Sequence, residues 1–170
     1  MSFHTQYDRW QRMTSAEHCP VCNRAPMPEG MEDVVESAYA WLNAEPVECL
    51  KGACHLTAKR HVVELYELPE DELLALMKEL QLCTKALKRV TSAVKINIET
   101  HGNSLPHLHF HLYPRYLDDP FPGKAIDYAQ KRSMYAEGEF EAFVSALREE
   151  IARLRRHGGG AEDEDPPRLS

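Results

Sequence analysis

SLPHLHFHLYPRY, residues 104–116, places His107, His109 and His111 at alternate positions. In a β-strand successive side chains point to opposite faces, so residues i, i+2 and i+4 share one face. The three imidazoles then line one side, and Leu108, Phe110 and Leu112 line the other as an apolar row suited to a core. On a helix the same histidines would spread around the cylinder. The aromatic and aliphatic neighbours favour a strand, and Pro106 and Pro114 bound it. Three adjacent imidazoles repel one another when protonated, so such a face is costly unless some chemistry uses it.

The rest of the chain narrows that chemistry. Its 170 residues, 43% hydrophobic and 28% charged, fit one soluble globular domain with its own core. The net charge is −7 and no block is rich in lysine or arginine, which argues against a surface for duplex nucleic acid. A small phosphate-binding pocket is compatible with that balance. No apolar run approaches the roughly 20 residues of a membrane span. MSFHTQYDRWQRM (1–13) lacks the apolar stretch of an export signal, so a cytoplasmic location is expected. The five cysteines are an odd number, which points to reduced thiols. Cys19 and Cys22 form CPVC, a pair able to close around a metal. The Pro- and Gly-containing NRAPMPEG that follows suits a metal knuckle better than a redox helix. Cys49, Cys54 and Cys83 read as small buried side chains.

Three segments are expected along the way: an irregular or partly helical arm over 1–18, one domain over 19–157 and a flexible acidic tail over 158–170. LPEDELLALMKELQLCTKALKRV (68–90) is the clearest helix. Acidic residues sit at its start, Lys88 and Arg89 near its end, and Leu73, Leu76, Met77, Leu80, Leu87 and Val90 on one face. AVKINIET (93–100) alternates as a strand and leads through a turn into the histidine strand as an antiparallel hairpin. LDDPFPGKAID (117–127) reads as loop, and EGEFEAFVSALREEIARLRRH (137–157) as a second amphipathic helix. The apolar groups of 33–58 are read as short strands on the strength of the resemblance that follows; their periodicity also fits a helix over MEDVVESAYAWL.

HLHFHLY (107–113) fits the His-φ-His-φ-His-φ-φ signature, φ being apolar, and so resembles the histidine-triad (HIT) family. GACHLTAKRHVVELYELPEDEL (52–73) is similar to the family's stretch leading into its long helix. WLNAEP (41–46) is similar to its ribose-binding segment, and CPVC to the cysteine pair of its zinc-containing members. These matches run in the family's order over about residues 19–120. The chain departs from the pattern at Ala53, where many members have histidine, and at Ala58, where most have proline.

The resemblance implies an α+β fold: an antiparallel sheet of about five strands with a long helix packed on it and a C-terminal helix. It implies a homodimer and a small-molecule nucleotide substrate, while the charge balance and the lack of a long apolar run leave no duplex nucleic acid and no membrane expected as partner. It also implies that His109 attacks the α-phosphorus and carries the nucleoside monophosphate until water or another acceptor removes it. Diadenosine polyphosphates and nucleoside phosphoramidates are candidate substrates. The alternatives are transfer to a phosphate or sugar phosphate, a nucleotide sensor with incidental turnover, or a catalytic metal held by the three histidines. His111, Asn103 and Ser104 are expected to meet phosphoryl charge, Asn43 the ribose, and Arg115 a phosphate, with Asn97 supporting the triad. Cys19, Cys22, His61 and His107 form the set expected to hold a structural zinc. His4, His18, His55, His101 and His157 read as solvated or packing residues.

Overall fold

The computed structural model describes residues 2–25, 29–133 and 135–157. The acidic tail expected over 158–170 lies outside the described residues, as do Pro26, Met27 and Pro28 of the segment after CPVC. The arm forms a short helix, α1 (Tyr7–Arg12), and β1 (Glu32–Glu36), β2 (Ala40–Ala44), β3 (Val47–Glu48) and β4 (Cys54–Ala58) follow. The long helix α2 (Glu70–Thr91) leads into β5 (Lys95–Glu99) and β6 (His109–Arg115); β7 (Arg132–Ser133) and α3 (Glu139–Arg156) follow. Five strands form one antiparallel sheet in the order β1-β2-β4-β6-β5. The expected α+β architecture is present, including strands where 33–58 was ambiguous by periodicity.

One face of the sheet is apolar because alternate residues point there. Leu42, Leu56, Phe110 and Leu112 meet Leu76, Leu80, Cys83 and Leu87 of α2, whose i, i+4, i+7 spacing makes one stripe, and Val144, Leu147 and Ile151 of α3. Removing a side chain such as Leu87 or Leu112, both fully buried, is expected to cost about 2–5 kcal/mol. Gly52 adopts φ +83°, and a Cβ there would lie 2.7 Å from Cγ2 of Thr91, so only glycine lets β4 begin this close to the end of α2. Cys49, Cys54 and Cys83 are buried, as expected.

Two details differ from the reading of the sequence. The strand begins at His109, so His107 precedes it and its ring leaves the face that His109 and His111 share. Pro114 lies inside β6. Pairing with β4 ends at Cys54–Leu112, so at Pro114 the strand has a single neighbour, where a missing N–H is tolerated. The two-residue ladder of β3 with β7 went unforeseen, since two residues carry no period.

Candidate active site and metal centre

The polar face of the sheet carries a continuous row. Asp33, Asn43, His55, His111 and Glu99 are successive register partners across all five strands. His109 belongs to the neighbouring rung, opposite Thr57. His109, His55 and Asn43 line a cavity of about 560 Å³, and Pro20, Val21 and Arg24 of the cysteine knuckle form part of its wall.

Within that cavity the histidines have defined tautomers. Nδ1 of His109 lies 2.7 Å from the carbonyl oxygen of His107, a contact made only by an N–H, so Nε2 keeps its lone pair. That Nε2 is 3.1 Å from Nε2 of His111, whose other nitrogen lies 3.5 Å from the Tyr113 hydroxyl. Burial is the first cause that lowers both imidazoles. For His111 the charges of His55, His109 and His101 add to it and bring it to about 3. Neutral, adjacent imidazoles with a directed lone pair are able to attack an electrophilic centre and to donate to its oxygens.

The expected ligands converge a short distance away. Nδ1 of His107 lies 3.4 Å from Sγ of Cys19, 3.7 Å from Sγ of Cys22 and 3.2 Å from Nδ1 of His61. Nδ1 of His61 is 3.3 Å from Sγ of Cys22. A tetrahedral ion with bonds of about 2.0 Å to nitrogen and 2.3 Å to sulfur holds its ligand atoms about 3.3–3.8 Å apart, so the four fit such an ion. Both rings are anchored from behind: Nε2 of His107 donates to the Ala58 carbonyl at 2.7 Å and Nε2 of His61 to that of Thr14 at 2.8 Å. Burial, then the hydrogen bond and charge of Cys19, push the Cys22 thiol up to about 11. A bound dication would reverse that by coordinating thiolates.

Other expected residues are less concentrated. Asn43 is buried, and its Nδ2 donates to Oδ1 of Asp33. Asn103 and Ser104 are exposed in the loop before β6. Asn97, on the edge strand, accepts from Nζ of Lys95 at 3.2 Å. Arg115 is held by Asp119, at 2.6 and 2.9 Å, and by the Phe121 carbonyl.

Sequence reading missed a second constellation. His55, read as a packing residue, has its ring 4.7 Å from that of His111 and its Nε2 3.0 Å from Oε1 of the buried Glu48. Lys131 donates to the same oxygen at 2.6 Å. Burial alone would raise the Glu48 carboxyl, but the hydrogen bonds from His55 and Lys131 prevail and bring it to about 2. His101 also lies near the triad, its ring 5.7 Å from that of His111 and its Nε2 3.1 Å from Glu99. The alternation of Cys54 and His55 was a signal for His55. Glu48 and Lys131 carried none, because 83 residues separate them.

Known proteins are similar to this chain in sequence and fold. An uncharacterized HIT-like protein of Methanocaldococcus jannaschii is 27% identical over 103 residues, covering 58% of this chain and 76% of its own. The crystal structure of a histidine triad protein from Bradyrhizobium japonicum matches with a TM-score of 0.63 at 28% identity, over 72% of this chain and 92% of its own. A zinc-bound histidine triad family protein of Mycobacterium smegmatis shares the fold, with a TM-score of 0.60 at 17% identity over 84% of this chain and 99% of its own. The family profile described as HIT domain matches residues 34–118, half of the chain. The protein belongs to the histidine-triad family.

Proposed function

We propose that the protein is a nucleotidyl hydrolase or transferase in which His109 is the nucleophile and a nucleoside monophosphate is carried on its Nε2. The observation that carries this is the tautomer of His109. With Nδ1–H bound to the backbone, Nε2 keeps its lone pair beside Nε2 of His111, on a residue that lines a cavity together with the buried Asn43. The nucleophile bonds to the α-phosphorus as the leaving group departs. His111 donates to the phosphoryl oxygens, the exposed Asn103 and Ser104 add donors from the loop, and Asn43 takes the ribose hydroxyls. The substrate class is a small nucleotide with a phosphoanhydride or phosphoramidate bond. Asn97 and Arg115 support the edge of the site from their own contacts.

A structural zinc held by Cys19, Cys22, His61 and His107 fits the donor set and its spacing. When bound, it would supply cross-linking free energy, with all four positions filled by protein. His107 is taken up in this cluster, which disfavours a catalytic metal on the three histidines. Among the described residues no helix is long and apolar enough to cross a membrane.

The test is His109→Ala with a panel of nucleotide substrates. The variant is expected to melt like the parent and to bind nucleotide, and to lose nearly all turnover. Retention of most activity would contradict the assignment.

A further inference from the structure

We propose that His55 is a second catalytic histidine of this site: oriented by Glu48, its Nδ1 takes the proton from the acceptor that attacks the nucleotidyl-histidine. The inference rests on the phosphoryl-transfer reading above and adds a residue and a step to it.

His55 stands between Asn43 and His111 in the polar row, on the wall of the cavity that His109 also lines. Its Nε2 donates to Oε1 of Glu48 at 3.0 Å, which leaves the lone pair on Nδ1. Nδ1 has no hydrogen-bond partner among the described residues, and no side-chain nitrogen or oxygen there is both sealed from solvent and unpartnered, so Nδ1 is open. The carboxylate behind it is fixed. Oε2 of Glu48 accepts the Cys49 N–H at 2.9 Å, and Oε1 also accepts from Lys131. A buried carboxylate behind an imidazole whose other nitrogen is open, on a residue that lines the cavity, forms the arrangement of a general base.

The surrounding charges suit a proton arriving there. Oε1 of Glu45 lies 4.0 Å from Nε2 of His55, so two carboxylates face one ammonium, Lys131. Protonating His55 brings that group to neutrality. The neighbouring imidazoles are poorer candidates: Nε2 of His109 is bonded to phosphorus at this stage, and His111 is held neutral by burial and by its imidazole neighbours.

The acceptor oxygen bonds to phosphorus, the P–Nε2 bond breaks and its electron pair returns to His109, and the acceptor's proton passes to Nδ1 of His55. In the preceding step the same nitrogen, protonated, gives its proton to the leaving atom.

The test uses a p-nitrophenyl ester of a nucleoside 5′-monophosphate, whose leaving group departs without a proton. His55→Ala is expected to release about one nitrophenolate per site in a burst and then to turn over on the order of 100-fold more slowly than wild type. Nucleotide is expected to accumulate on His109, and free imidazole to restore part of the rate. Glu48 keeps Lys131 and the Cys49 amide in this variant; should it still fail to fold, His55→Gln offers Glu48 a donor without a base and must show the same burst. Resolution of the intermediate within twofold of the wild-type rate in the folded variants would overturn the role of His55 alone. Wild-type protein that turns over without nucleotide on His109 would overturn the phosphoryl-transfer reading, and this inference with it.

Discussion

The backbone carbonyl of His107 accepts the Nδ1–H of His109 at 2.7 Å, while the ring of His107 faces Cys19 and Cys22. Two residues apart in the chain, these histidines serve different centres, and the first sets the tautomer of the second.

The Cys/His cluster is expected to hold one zinc per chain, found by elemental analysis of protein purified without chelator. It joins residue 22 to residue 107, a long loop whose closure is entropically costly without a strong link. Cys22→Ser and His107→Ala are therefore expected to lower the melting temperature by several degrees or more, whereas His109→Ala leaves it near the parent's. A His107→Ala variant as stable as the parent would remove the metal assignment.

Acid is expected to destabilise the fold partly through His111. Burial, then its neighbouring charges, lowers this imidazole from 6.5 to about 3 in the folded state. Its contribution is thus full above about pH 6.5, where both states are neutral, and is lost as pH falls from there towards 3, where the unfolded chain binds the extra proton. Glu48 loses its contribution only below its ordinary value of 4.5. Between pH 6.5 and 5, His111→Asn is expected to flatten the fall in unfolding free energy by up to about 1.4 kcal/mol per pH unit. Equal slopes in denaturant titrations would show that the imidazole is not held neutral.

The arm is expected to position the loop before the triad. Nε1 of Trp10 donates to the Gly102 carbonyl at 2.8 Å, and the Phe3 amide donates to that of Asn103, also at 2.8 Å. Trp10→Phe keeps an aromatic side chain and removes the Nε1 donor, at a cost of about 1 kcal/mol for the hydrogen bond. Faster amide exchange at residues 101–104 and a raised KM with kcat little changed are the expected readouts. Unchanged exchange in that loop would mean that the arm merely rests on it.

A homodimer is expected in solution. β5 is an edge strand, and the exposed Val94 just before it and Ile98 within it leave apolar surface at the rim of the sheet. Light scattering at micromolar concentration is expected to return twice the chain mass. A monomer would count against it.

Much of this was legible locally. The alternation in 107–113 and the stripe of α2 announce a sheet face and a core helix because each period is written within one element. The cluster of Cys19, Cys22, His61 and His107 was reached through family likeness, since no local pattern connects residue 19 to residue 107. His55 illustrates the limit: its neighbours in the chain make it a strand residue, and its chemistry comes from Glu48 and Lys131, which only the tertiary fold brings to it. Arg115 shows the reverse, because a cation close to the triad in sequence is held by Asp119, four residues along.

The most direct measurement is the mass of the protein quenched during turnover into alkaline denaturant, which preserves a phosphorus–nitrogen bond. Wild-type protein is expected to gain the mass of one nucleoside monophosphate less water, mapped to the peptide containing His109, and His109→Ala to gain none. Turnover with no adduct, or with the adduct on another residue, would contradict His109 as the nucleophile.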